Sequence, residues 1–207
     1  MSSFKYDDKK VLNCAKLVLE KCDELSKFSK NERRKFVNQQ GKELSSSKNG
    51  VYLFVELDKM GKTTRIVRVG THTSEKTTIL DRLRCHFIDS VGSSIFRKQV
   101  AKSISNKDNG YTEDELQQVT DYINRFRIII IEENSKEKRL EIERQLIGTL
   151  SWAGFFSEDF RKVDEIMQSS SNEFTKDYGL WLKEEMFTTP IEDENKISEI
   201  FSKGVKI

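Results

Sequence analysis

Tyr52, Arg68 and His72 fall within one stretch, GVYLFVELDKMGKTTRIVRVGTHTS, from Gly50 to Ser74. A phenol, a guanidinium and an imidazole this close together can orient, neutralise and exchange protons with an anionic ligand. Arg82 and His86 follow four residues apart, so on a helix they project from one side and can act on a single ligand. The segment KEKRLEIERQLIGTL supplies a carboxylate. At helical offsets of three and four, Glu141 neighbours Glu137, Lys138, Arg144 and Gln145, whereas Glu143 neighbours Arg139, Leu140, Leu146 and Ile147. Glu141 is therefore expected to face water and Glu143 an apolar surface. Burying an unpaired carboxylate costs several kcal/mol, so Glu143 needs a cation, a metal or a strong donor opposite it. An edge-of-core glutamate paired with an arginine meets the same need.

The charge distribution agrees with an anionic ligand. The net charge is only +2, yet Gly61 to Lys107 holds ten Lys or Arg against three acids, leaving the remainder of the chain at −5. Such a local concentration fits a surface that meets an anion, with phosphate backbones the leading candidate, although a solvated lysine-rich face produces the same count.

The elements that must position these residues are legible from periodicity. Residues 7–28 place Val11, Ala15, Val18, Leu19, Cys22 and Leu25 at helical spacing. A charged helical piece, KNERRKFVNQQ, follows, and GKELSSSKNG breaks the pattern as a linker. Val51, Leu53, Val55 and Leu57 alternate with Tyr52, Phe54 and Glu56 as in a strand. DKMGKTT is a turn and RIVRV the returning strand. A turn centred near Gly61 sets Tyr52 opposite Gly70 and Phe54 opposite Arg68, which puts Tyr52 and Arg68 on one face. TTILDRLRCHF begins with Thr78 three residues before Asp81, an approximate capping box, and SSIFRKQVAKSI reads as a helix exposing Arg97, Lys98 and Lys102. TEDELQQVTDYINRF opens with Thr112 and Glu115 in capping-box spacing, and the β-branched run at 126–132 reads as a buried strand. IMQSSSNEFTK is expected to be a loop.

Composition excludes several classes. At 207 residues, 36% hydrophobic and 34% charged, with one proline and a mean hydropathy of −0.63, the chain suits a helix-rich soluble domain. No window approaches the 18 or so apolar residues of a membrane span. The charged start MSSFKYDDKK argues against a signal peptide, so a cytoplasmic location is expected. Cys14, Cys22 and Cys85 form neither a disulfide framework nor a zinc spacing, and read as free, semi-buried thiols. The sequence has no internal repeat, P-loop, GxGxxG or serine-elbow motif.

In order, the chain offers GVY in the first strand of a hairpin, RVG ending its second, RLRCHF on a helix and LEIERQLI on a later helix. That ordered set resembles the GIY-YIG nuclease family over roughly residues 48–150. Gly50, Val51 and Tyr52 match the first half of the name motif, and Arg68, Val69 and Gly70 occupy the second. Arg82 and His86 match the family's helical arginine and the histidine often found after it, and Glu143 matches the carboxylate that holds the catalytic metal. The resemblance implies an α/β (α+β) fold, with a small central antiparallel three-stranded sheet flanked by helices. The expected organisation is a helical N-terminal extension (1–47), the nuclease core (48–150) and a C-terminal segment packed on it (151–207).

The implied activity is a metal-dependent endonuclease hydrolysing phosphodiester bonds in DNA. Tyr52, His72, Arg82, His86 and Glu143 would be its catalytic residues, and Glu143 would bind one Mg²⁺ or Mn²⁺ ion. Arg68, Arg84, Arg97, Lys98 and Lys102 would contact DNA. Two departures qualify this. Arg68 stands where the family usually has a second tyrosine, so His72 or His86 is expected to take the base role and Arg68 to contact phosphate. The asparagine often found after the metal helix has no counterpart in SWAGFFSEDF, Asn172 lies too far along to assign, and Trp181 has no assigned role. The competing expectations are a catalytically degenerate nucleic-acid-binding module of the same fold and a helical interaction protein with an incidental hairpin.

Overall fold

The computed structural model describes residues 5–25, 49–74, 77–87, 91–182 and 187–205. The expected helical piece at 30–40 and residues 41–48 of the expected linker, which runs to Gly50, lie outside the described residues, and Gly50 itself opens the first strand.

The hairpin forms as expected. Strands β1 (Gly50–Leu57) and β2 (Thr63–Gly70) pair antiparallel with Tyr52 opposite Gly70 and Phe54 opposite Arg68. A register shift after Phe54 then brings Ile66 opposite Val55. Gly61 turns the chain with φ 83°, a conformation that favours glycine. Strand β3 (Arg127–Glu132) pairs antiparallel with β1 on its other edge, and the two-residue strand β4 (Gly204–Val205) extends the sheet beyond β3. The spatial order is β2-β1-β3-β4. The expected three-stranded antiparallel sheet thus gains a short fourth member from the far end of the chain.

Helices cover both faces of this sheet, and β1 is buried on both. Val51, Leu53 and Val55 pack with Cys14, Val18 and Cys22 of α1 (Asp8–Leu25) and with Ile142, Leu146 and Ile147 of α5 (Lys136–Phe156). The same layer holds Ile197, Ile200 and Phe201 of α8 (Glu194–Ser202). Tyr52 and Phe54 point the other way, into α2 (Ile79–Phe87), α3 (Ile95–Ser105) and α4 (Glu113–Asn124) through Leu83, Phe96, Val100, Val119 and Ile123. A period of two with apolar residues on both phases is what a central strand between two helical layers requires. Each fully buried large side chain there is worth about 1.5–3 kcal/mol of transfer free energy.

The local signals behave as their chemistry dictates. Thr112 and Glu115 form a reciprocal capping box at the start of α4, and Thr78 and Asp81 bond each other's backbone N–H before α2. The expected loop IMQSSSNEFTK is a correction: it contains the ends of two short helices, α6 (Glu165–Gln168) and α7 (Glu173–Tyr178). Asp164 and Asn172 cap them through Met167 N–H and Thr175 N–H, so the polar residues that read as loop composition are helix caps. No cysteine is in a disulfide: Cys14 and Cys22 are buried, and Cys85 is partly exposed with its Sγ donating to Asp81 O at 3.3 Å. Among the described residues no helix is long and apolar enough to cross a membrane.

Candidate active site

The site is built where β2 ends. The ring of Tyr52 lies across Gly70, so a Cβ on Gly70 would collide with the phenol and its ring carbons. Glycine there is a packing requirement imposed by the tyrosine opposite it. Thr71, the next residue, ties three elements together. Its hydroxyl donates to Gly50 O at 2.7 Å, and its backbone N–H donates to Glu143 Oε1 at 3.1 Å. The carboxylate of α5 thus reaches the end of the hairpin that carries Tyr52.

Glu143 is half-buried and Glu141 exposed, as their helical offsets require. Burial pushes the Glu143 carboxyl above its ordinary value, and the Thr71 N–H and the charges of Arg68, Arg144 and Arg82 oppose this only in part. The arginine pairing that could have explained a merely structural Glu143 is not formed. Arg139, one turn earlier, is 2% exposed and gives its guanidinium to the carbonyls of Glu133, at 3.2 Å, and Asn134, at 2.7 Å. Among the described residues Glu143 has no ion-pair partner.

His86 is fully buried among Tyr52, Phe54 and Phe96, with Nε2 2.8 Å from Tyr52 Oη and Nδ1 2.6 Å from Ser94 Oγ. Burial, then the charges of Arg68, Arg82 and Arg97, hold its pKa well below the ordinary histidine value, so the ring is neutral. His72 is also buried, and its Nε2 lies 2.8 Å from Thr77 O. A carbonyl only accepts, so in the neutral ring Nε2 carries the proton and Nδ1 holds a lone pair that has no partner among the described residues. Burial lowers the His72 pKa; the Thr77 bond and Asp81 oppose this, while Arg139 and Arg82 add to it.

Arg82 connects these groups. It sits one turn before His86 on α2, is half-buried, and its charge is felt by His72, His86 and Glu143 alike. Among the described residues its guanidinium has neither a hydrogen bond nor an ion pair. A half-buried guanidinium with this reach can bind an anionic ligand through charge-assisted hydrogen bonds.

Several expected DNA contacts are corrected by burial. Arg97, expected on an exposed face, is 5% exposed, with its guanidinium on His86 O and Thr120 Oγ1, both at 3.1 Å. Arg68 shares the face of Tyr52, as the register requires, but is 6% exposed. It donates to Trp181 O at 2.7 Å and lies over the Phe96 ring at 5.0 Å, so its charge acts on the site from inside. Lys102 is paired with Asp108 at 2.8 Å, whereas Arg84 and Lys98 are exposed. The basic stretch therefore spends part of its charge within the core: Arg65, in the same stretch, is also buried, between Glu56 and Asp164.

Three contributors escaped the sequence reading. Ser94 is recognisable as an N-cap ahead of α3, but its bond to His86 needs the packing of two helices. Thr71 carries no local signal. Trp181 is fully buried, gives its backbone N–H to Val67 O at 2.8 Å on the edge of β2, and its indole N–H to Tyr122 Oη at 3.0 Å. It closes the open edge of the hairpin and holds Arg68 by its carbonyl. Asn172 serves as a cap and donates to Leu182 O at 3.2 Å.

Among the described residues no group of three or more His, Cys, Asp or Glu could cage a metal ion. Glu143, half-buried and without an ion pair among the described residues, nevertheless suits a hard divalent ion, which binds through one or two carboxylates and keeps its remaining positions for water and phosphate. The donor set fits such an ion.

No match is found among curated proteins or solved structures. A family model does match, that of the GIY-YIG domain, over residues 18–196. That span begins inside α1 and ends inside α8, so it takes in both helical layers, the paired strands β1 to β3 and every residue of the site just described. By this match, which covers most of the chain, the protein belongs to the GIY-YIG family, a family of endonucleases.

Proposed function

We propose that the chain is an endonuclease that hydrolyses phosphodiester bonds in DNA, with a single divalent ion. The observation that carries this reading is the guanidinium of Arg82, which has no hydrogen bond or ion pair among the described residues and lies within electrostatic reach of Glu143, His72 and His86. Hydrolysis of a phosphodiester needs an activated water, charge neutralisation on the phosphoryl oxygens and a defined orientation. Arg82 holds a non-bridging oxygen by charge-assisted hydrogen bonds, and its fork orients the group as well as neutralising it. Glu143 would hold Mg²⁺ or Mn²⁺, which would supply Lewis-acid neutralisation of the phosphate when bound. His72 is the better placed of the two histidines to take a proton, because its Nδ1 has no partner among the described residues while both nitrogens of His86 are engaged. Arg68 adds fixed positive charge behind the site, and Arg84 and Lys98 neutralise backbone phosphates at the surface.

The test is nicking of supercoiled plasmid by the purified protein with Mg²⁺ or Mn²⁺, alongside Glu143→Ala and Arg82→Ala. Metal-dependent nicking lost in both variants supports the reading. A second reading, a degenerate DNA-binding module, is favoured by one feature: the residue at the second motif tyrosine, Arg68, is fastened inward to Trp181. A gel shift without nicking supports that reading instead. Absence of salt-sensitive DNA binding removes both.

A further inference from the structure

We propose that the site binds its two ligands cooperatively: the arginines take a phosphate group without metal, and Glu143 binds Mg²⁺ or Mn²⁺ more tightly once that phosphate is seated. Under the nuclease reading, on which this rests, the phosphate belongs to the DNA backbone. The coupling itself follows from the groups present. Glu143 enters the site with one oxygen committed, Oε1 accepting the Thr71 N–H at 3.1 Å. Asp81, the other carboxylate that acts on His72, is exposed and occupied ahead of α2, where its Oδ2 accepts the N–H and the hydroxyl of Thr78 at 2.8 and 3.0 Å. Both nitrogens of His86 are engaged, and the remaining Nδ1 of His72 is a nitrogen, which a hard ion ranks below oxygen. Among the described residues no group of three or more His, Cys, Asp or Glu makes up the shortfall.

Cations outnumber that carboxylate. Arg68 stands on β2 two residues before Gly70, the partner of Tyr52, and lies 5.0 Å over the Phe96 ring, whose centroid is 5.8 Å from that of His86. Arg82 sits one turn before His86 on α2. Both act on Glu143 and on His86, and neither has an ion pair among the described residues. Arg144, exposed beside Glu143, and Arg139, buried near His72, add to the same field. With Glu143 ionised, Arg68 and Arg82 alone leave the cluster positive. One carboxylate against that charge holds a dication weakly, whereas the same guanidiniums attract an anion. A seated phosphate offsets the positive charge and presents the oxygen ligands that the chain lacks. Each ligand therefore raises the affinity for the other, and by linkage it does so by the same factor.

Isothermal titration calorimetry of the full chain reads the coupling, with inorganic phosphate, with MgCl₂, and with each in the presence of the other, free concentrations being corrected for the magnesium–phosphate complex. The expected result is saturable phosphate binding without metal and a gain in Mg²⁺ affinity of at least about 10-fold when phosphate is present, within the range usual for coupled sites. Arg82→Ala should abolish the metal-free phosphate binding. Glu143→Gln removes an opposing charge, so it should tighten phosphate binding while the coupling disappears. Equal Mg²⁺ affinity with and without phosphate overturns the proposal, as does phosphate binding that requires metal. Phosphate binding unchanged by Arg82→Ala reveals an adventitious ion only and overturns it as well. The parent titrations decide the coupling if the Gln variant does not fold. A metal-free titration with a short DNA duplex separates this proposal from the nuclease reading. Duplex binding weakened by Arg82→Ala supports both; coupling to inorganic phosphate with duplex binding indifferent to Arg82→Ala supports the coupling and removes DNA as the source of the phosphate.

Discussion

Two polar clusters lie at opposite ends of β2, and they are built on opposite principles. At the start of the strand, Arg65 bonds Glu56 at 2.7 Å and Asp164 at 2.6 Å. Asp164 also takes the hydroxyl of Tyr122 at 2.8 Å, the guanidinium of Arg125 and the backbone N–H of Met167 at 2.9 Å. Every charge there faces its opposite, and the cluster ties the hairpin to α4 and α6. At the end of the strand, Glu143 has one backbone donor, and Arg82 and the Nδ1 of His72 have none of their partners among the described residues. Burial without satisfaction costs free energy. One cluster is satisfied throughout, whereas the other is without ion pairs among the described residues, and the proposed ligand site rests on that difference.

The most severe break of that contrast is chemical. Glu143→Ala or Arg82→Ala should reduce plasmid nicking at least about 100-fold, the order expected for loss of one group that stabilises developing charge, with the unfolding midpoint little changed. Equal activity of either variant and the parent would remove the open cluster from catalysis.

Next comes the closed cluster. Asp164→Ala leaves Arg65 half-paired and should cost about 3 kcal/mol in urea unfolding, as removal of one partner from a buried network does. Nicking per folded molecule should be retained. Burial alone would raise the Asp164 carboxyl, but the Met167 N–H, Arg65 and Tyr122 outweigh it and hold the pKa below its ordinary value. Its stabilisation is therefore present at neutral pH and lost as pH falls through that lowered value.

Gly70→Ala tests the seat of Tyr52. Displacing the ring should cost about 1–3 kcal/mol, the usual range for overpacking, and should abolish the Tyr52–His86 bond, read as a change in the His86 ring signals.

The pH dependence of the open cluster has the opposite sign to that of Asp164. Glu143 has a raised folded pKa, so its contribution to stability is complete below the ordinary glutamate value of about 4.3 and is lost as pH rises through the raised value. Glu143→Gln, which retains an acceptor for Thr71 N–H, should be at least as stable as the parent at pH 7, with the difference vanishing in acid. Thermal unfolding of both proteins across that range checks the sign. The smallest effect belongs to the surface: Lys98→Ala should weaken DNA binding slightly and lower the slope of log K against log salt by about 1 if it meets a phosphate.

Much of this arrangement is readable from particular residues. The alternation from Val51 to Leu57 and the glycine turn specify the pairing of Tyr52 with Gly70 and of Phe54 with Arg68, because a register slip would exchange the two buried faces. The offsets around Glu141 and Glu143 separate an exposed carboxylate from an inward one for the same reason. Arg97 was misread because charge in a helix-forming stretch reads as solvent-facing, whereas its guanidinium serves a carbonyl on a helix it meets only after folding. The segment from Ile166 to Lys176 departs from the expected loop because capping residues and loop residues are the same types.

Sequence alone determined what is periodic or local: the three longer strands, the register of the hairpin, the caps before α2 and α4, the direction in which Glu143 faces and the ordered set of residues that marks the family. Those features follow from backbone geometry within a few residues. Tertiary structure alone decided which cations are spent inside the fold, that Thr71 hands an N–H to Glu143, and that Ser94 and Tyr52 hold the two sides of one imidazole. Each of these depends on a donor and an acceptor from separate elements meeting within about 3 Å, a distance that no spacing along the chain encodes.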